Sequence, residues 1–122
     1  MAILDARVSV SRFGSDCFVV AAGGEFDLYT TERLREKLAD VLELGGRHFL
    51  VDLTGVSFMD STALGVLVDA AKALKSSGGH LVLVADDPRV KRVIEITGLD
   101  RVFRIEASLP EAVQQLVNGS HA

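Results

Sequence analysis

The sequence has no tryptophan, one cysteine, few other aromatic residues and no block of like charge. No apolar stretch approaches the ~20 residues that span a bilayer, and no repeat or low-complexity segment is visible. Each absence removes a class of protein. The lone thiol, Cys17, cannot close a disulfide within the chain; it lies in an apolar run, as a buried or half-buried thiol of a reduced compartment does. Thirteen Lys and Arg against seventeen Asp and Glu give a net charge of −4 and no electrostatic footprint for nucleic acid, so neither DNA nor RNA is an expected partner. The segment Met1 to Asp5 lacks the basic and apolar regions of a signal peptide. A cytoplasmic protein without membrane insertion is therefore expected.

Enzyme signatures are missing too. No nucleophile elbow G-x-S-x-G surrounds Ser61, because Met59 stands where the first glycine belongs. His48, His80 and His121 are scattered, the last in the tail, and their spacing argues for neither a triad nor metal ligation. There is no phosphate loop G-x-x-x-x-G-K-[ST]; the glycine pairs at 23, 45 and 78 fall at turns. Asp27 and Asp60 are more than thirty residues apart, so they form an acid/base or Mg²⁺ pair only if the fold brings them together. Otherwise Asp27 is a turn residue and Asp60 a partner of a helix dipole. No catalytic residue, metal or cofactor is expected.

What is present is the composition of one compact domain over residues 1–122: 48% apolar, drawn largely from Val, Leu, Ile and Ala. Its ordered core is expected over about residues 6–117, with the small polar tail Asn118 to Ala122 frayed. Val8 to Ser11 alternates apolar with polar, Phe13-Gly14-Ser15-Asp16 supplies a turn, and Phe18 to Ala22 is a second apolar run, together a β-hairpin. Thr30 is placed to cap a helix with the stripe Leu34, Leu38, Val41 and Leu42, ended by Gly45-Gly46. His48 to Leu53 reads as a central strand. A helix from Ser61 carries the stripe Leu64, Leu67, Val68, Ala71 and Leu74, and Gly78-Gly79 stops it before a strand at Leu81 to Ala85. Pro88 opens a third helix that closes at Gly98, a short strand runs Val102 to Ile105, and a last helix spans about Pro110 to Val117. This alternation predicts an α/β fold, a mixed sheet of about five strands with about four helices and parallel pairs in its later half.

The informative stretch is Val51 to Leu67, where an apolar strand leads through a short loop to Asp60-Ser61-Thr62 at a helix start. Serine there is a good N-cap, and the dipole and free N–H groups of a first turn also suit a phosphate. Local pattern leaves both roles open. Gly24-Glu25-Phe26-Asp27, Val51-Asp52-Leu53, Phe58 through Gly65, and Val90-Lys91-Arg92 followed by Thr97-Gly98-Leu99 resemble the anti-sigma factor antagonists, stand-alone members of the STAS family. The resemblance covers Val8 to the last helix. It implies the STAS fold, with helices packed mainly on one face. It further implies a partner-switching role: the unphosphorylated protein binds an anti-sigma factor that is also a serine kinase and so releases the sigma factor. Phosphorylation of Ser61 abolishes binding, and a metal-dependent serine phosphatase restores it. By the same resemblance Asp27, Asp60, Ser61, Thr62 and Leu64 contact the partner, and Thr62 is an adjacent alternative acceptor. Leu64 equally fits the core stripe. Ala63 departs from the glycine frequent in the family; its methyl is expected to stiffen the first turn and to narrow the approach of a kinase. Arg89, Lys91 and Arg92 form either a site for an acidic partner face or a solvated helix surface. The alternative role within the family is an accessory subunit of a membrane transporter or a component of a stress-signalling assembly; outside it, a small hydrolase would require a histidine beside Ser61.

Overall fold

A computed structural model describes residues 6–119. Strand β1 (Arg7–Phe13) turns back into β2 (Cys17–Phe26), and strands and helices then alternate: α1 (Thr31–Glu43), β3 (His48–Met59), α2 (Ser61–Ser76), β4 (His80–Val84), α3 (Pro88–Ile96), one 3₁₀ turn (Leu99–Arg101), β5 (Arg104–Glu106) and α4 (Leu109–Gly119). The five strands lie in sequence order across one sheet. β1 pairs antiparallel with β2, and every later neighbour is parallel.

That order explains the layering. When each crossover steps in the same direction with the same hand, every crossover helix falls on one face of the sheet. Phe18, Val20, Phe49, Val51, Leu53 and Leu83 accordingly bury against α1 (Leu34, Leu38), α2 (Leu64, Leu67, Leu74) and α3 (Val90, Ile94) in one cluster. Helix α4 follows the last strand and is free of this constraint. It covers the other face, where Leu50, Val82 and Val84 meet Ala112. β3 is thus apolar on both sides, which is why His48 to Leu53 is an unbroken run rather than an alternation.

Two strands outrun their expected length. β2 and β3 stay paired past Leu53, through Gly23↔Gly55 to Phe26↔Met59, with two register shifts on the way. A Cβ on Gly55 would sit 3.2 Å from the Ala22 carbonyl oxygen, so this polar, glycine-containing stretch is a strand only because glycine permits the close approach. In the other direction, the last strand is displaced from its expected place. Val102 belongs to the turn after the 3₁₀ helix and is exposed, Phe103 is held through its N–H to the Leu99 carbonyl, and pairing begins at Arg104. Helix α4 also runs through Asn118 and Gly119, two residues past its expected end. His121 lies outside the described residues.

Candidate functional site

The extension of β2 and β3 builds the site. Phe26 and Met59 are register partners at the ends of their strands, and the Asp60 N–H donates to the Phe26 carbonyl at 3.1 Å. The loop holding Asp27 and the junction holding Asp60 therefore meet at one end of the sheet, although more than thirty residues separate them. Each carboxylate is committed locally. Asp60 has extended backbone, and its Oδ1 accepts from the N–H groups of Thr62 at 2.9 Å and Ala63 at 3.2 Å. Asp27 Oδ1 accepts from the N–H groups of Tyr29 and Thr30 at 2.8 and 2.9 Å, which hold its carboxyl below the usual carboxylate range.

These bonds correct the sequence reading at three places. The cap of α2 is Asp60, and Ser61 is the first helical residue, since a carboxylate aimed at two N–H groups is the stronger acceptor. Three of the donors expected to welcome a phosphate are consequently taken: Thr62 and Ala63 N–H by Asp60 Oδ1, and Leu64 N–H by the Asp60 carbonyl. At α1, Thr30 stands in the cap position without using its side chain as a cap. Its hydroxyl turns back to accept the Asp27 N–H at 3.0 Å and lies 2.8 Å from the Glu25 carbonyl.

Ser61 is exposed, and its hydroxyl has no hydrogen-bond partner among the described residues. Thr62 is half-buried. Ala63 and Leu64 point inward at 0% and 2% exposure, within the core cluster. The Ala63 methyl therefore presents nothing to an approaching protein. The Leu64 side chain, expected at the contact surface by resemblance and in the core by periodicity, is in the core. The residue that shares the Ser61 face one turn along is Gly65, exposed and with nothing within 4 Å of where a Cβ would stand. α2 thus shows a flat patch beside the serine.

At the same end of the sheet lies apolar surface that sequence reasoning missed. Leu28 and Tyr29 are 65% and 85% exposed on the loop after Asp27, and Phe58 is 46% exposed on β3. Phe58 borders a cleft of ≈ 440 Å³ between the end of β3 and the start of α3, with Glu25, Ser57 and Arg89 at its rim. An apolar pair inside an otherwise turn-like segment was the available signal for Leu28 and Tyr29. Phe58 gave none, since it fell in the expected loop between the strand and Asp60, whereas it lies on the extended β3. Of the basic cluster, Arg89 is tied to Asp87 at 2.8 Å and holds that carboxyl down at about 2, while Lys91 and Arg92 are exposed beside Asp86 and Glu95.

Neither described histidine stands at the Ser61 end of the sheet. His48 and His80 begin β3 and β4, whereas Ser61 follows the far end of β3, so neither ring can act as its base. Their rings stack on one another with centroids 5.2 Å apart. Among the described residues there is no group of three His, Cys, Asp or Glu side chains able to hold a metal ion, and no helix long and apolar enough to cross a membrane. Cys17 is half-buried, and its thiol is pushed up by burial and by the adjacent Asp16.

The STAS-domain family model matches residues 10–112. An anti-sigma-B factor antagonist of Listeria monocytogenes is 34% identical over 119 residues, which is 98% of this chain and all of that one. One from Staphylococcus aureus is 39% identical over 88 residues, 72% of this chain and 82% of its own length. The crystal structure of an anti-sigma factor antagonist from Mycobacterium paratuberculosis superposes with a TM-score of 0.86 at 27% identity, covering 94% of this chain and 97% of the other. The chain belongs to the STAS-domain family. Within that family it groups with the anti-sigma factor antagonists, and its five-stranded mixed sheet with four helices is their fold.

Proposed function

We propose that this protein is an anti-sigma factor antagonist operated as a partner switch, with Ser61 as its phosphoacceptor. The observation that carries the reading is the division of labour between neighbours: Asp60 caps α2, so the exposed Ser61 hydroxyl has no structural duty. In this reading the chain is a substrate rather than an enzyme. Unphosphorylated, it docks in the cytoplasm on an anti-sigma factor that is also an ATP-dependent serine kinase, and the sigma factor is set free. A serine phosphatase resets it. Asp27, Asp60, Ser61 and Thr62 lie in the contact, with Tyr29 and Phe58 as aromatic anchors of the kind that dominate interfaces.

The physics favours a local block over a change of shape. A phosphate brings about −1.5 to −2 charges. Beside Asp60 and Asp27 it meets carboxylates, and the Thr62, Ala63 and Leu64 N–H groups that could receive it are occupied. The α2 dipole offsets roughly 0.3–1 kcal/mol, enough for the fold to persist. At an interface the dianion must instead be desolvated beside carboxylates and without a new cationic partner, which costs several kcal/mol. About 2.8 kcal/mol already weakens binding a hundredfold.

The test is to incubate the protein with anti-sigma kinases of the same genome and ATP, and to locate phosphate by mass spectrometry with Ser61→Ala as control. Phosphate on Ser61 together with loss of kinase binding is the expected result. Stable kinase binding by the phosphorylated form, or phosphate confined to Thr62, would overturn the assignment.

A further inference from the structure

A groove of ≈ 920 Å³ opens at the end of the molecule remote from Ser61, between the C-terminal turn of α2 and the start of β5. Along α2 the lining begins at Ala71 and Lys72, about 15 Å from Ser61. Its lining is unlike the rest of an acidic protein. Lys72, Lys75, Arg101 and Arg104 all border it, His80 adds a fifth basic group when protonated, and no Asp or Glu lines it. These residues come from four separate elements, so no single amphipathic helix accounts for the concentration.

The four cations are exposed. Lys72, Lys75 and Arg101 have no acidic partner among the described residues, and Arg104 stands 3.6 Å from Glu106, which faces a different hollow. Asp16 is separated from His80 by the His48 ring, whose Nε2 is 3.9 Å from the Asp16 carboxylate and whose Nδ1 is 3.2 Å from His80 Nδ1. The C-terminal dipole of α2 contributes about half a negative charge. Part of it is consumed, because the Leu74 and Lys75 carbonyls accept from Ser77, Gly78 and Gly79. Four permanent positive charges outweigh the remainder.

Beneath the charges the floor is apolar. Leu81, Val82 and Phe103 are buried there, and Val102, 60% exposed, stands at the rim. A volume of this size lies within the ~300–1,000 Å³ of small-molecule sites. Clustered Arg and Lys meet the several oxygens of a phosphate from different sides, and the net charge of −4 disfavours any anion that does not gain such multiple contacts.

We propose that this groove binds a phosphate-bearing small molecule with an apolar portion, either free or as the headgroup of a lipid, independently of the Ser61 switch. The test titrates the ¹⁵N-labelled full chain with inorganic phosphate and with 1-naphthyl phosphate, and in parallel sediments it with phosphatidylcholine vesicles doped with phosphatidic acid. Saturable shifts at Lys72, Lys75, Gly78, Gly79 and Arg101–Arg104, with none at Asp60–Ala63, are expected for the soluble probes, and the naphthyl compound should bind more tightly than inorganic phosphate. The double variant Lys75→Glu, Arg101→Glu, altered only at exposed positions and checked for an unchanged melting temperature, should bind about tenfold more weakly or worse. Binding to soluble phosphates alone assigns a free ligand, and sedimentation abolished by the double variant assigns a headgroup. Failure of both arms, shifts elsewhere, undiminished binding by the double variant, or saturable binding of polyglutamate without phosphate binding would overturn the proposal.

Discussion

Replacing Asp60 by Ala and by Asn separates the two things its carboxylate does. Both first-turn bonds go to Oδ1, at 2.9 Å from Thr62 N and 3.2 Å from Ala63 N. Asn keeps an oxygen at that place and caps about as well as Asp, whereas Ala removes the acceptor at a cost of about 1 kcal/mol, within a range of roughly 0.5–2. The charge adds roughly 0.3–1 kcal/mol through the helix dipole, and both variants lose it. An unfolding entropy of about 2.1 cal/mol/K per residue gives about 0.26 kcal/mol/K for 122 residues, so each kcal/mol moves Tm by roughly 4 °C. Calorimetry should therefore place Asp60→Asn roughly 1–4 °C below the natural protein and Asp60→Ala about 4 °C lower again. The two gaps differ in their response to salt. Raising ionic strength to 1 M, where the screening length is about 3 Å, should close the first gap and leave the second. Equal melting temperatures for Asn and Ala would refute the cap and show that Asp60 acts through charge alone.

Five other outcomes follow from the same structure. Leu64→Ala should cost roughly 2–5 kcal/mol and lower Tm by roughly 8–20 °C, so any loss of partner binding in that variant should track unfolding measured by circular dichroism. Gly65→Ala should raise Tm by about 4 °C, because the position is mid-helix, exposed and open to a methyl group, while Gly65→Trp should impair kinase docking without unfolding the chain. Gly79→Ala should lower Tm by roughly 10 °C or more, since its Cβ would fall on the Arg47 carbonyl oxygen. Burial depresses the His48 pKa below 6.5, so the unfolded chain takes up the proton first as pH falls; stability should decline from about pH 6.5 downward, and His48→Gln should flatten that slope in denaturant titrations. Asp27 works in the opposite sense of charge but the same direction of pH. Its carboxyl is depressed by the Tyr29 and Thr30 N–H groups, so its contribution is present above 3.8 and is lost as pH falls further.

Periodicity in the sequence determined the elements and most of the core. The stripe of α1 and that of α2 are packed where their spacing put them, and the apolar run from His48 to Leu53 is the central strand covered on both faces. Those features rest on local chemistry, because a 3.6-residue or two-residue repeat leaves a face that only burial satisfies. The strand-to-helix boundaries that hold Asp27, Asp60, Ser61 and Thr62 were legible as well, since their turn and cap residues mark them whatever the rest of the chain does. The cap was not legible: Asp60 and Ser61 are both good caps, and the extended backbone that selects Asp60 depends on the bond from its N–H to the Phe26 carbonyl. The same long-range pairing carries β2 and β3 to Phe26 and Met59 and brings Asp27 to Asp60, which no local window contains. Exposure of Phe58, burial of Ala63 and convergence of Lys72, Lys75, Arg101 and Arg104 on one groove likewise arise between elements. Spacing along a chain determines which face of its own helix or strand a residue occupies. What stands opposite that face is decided only when the sheet has assembled.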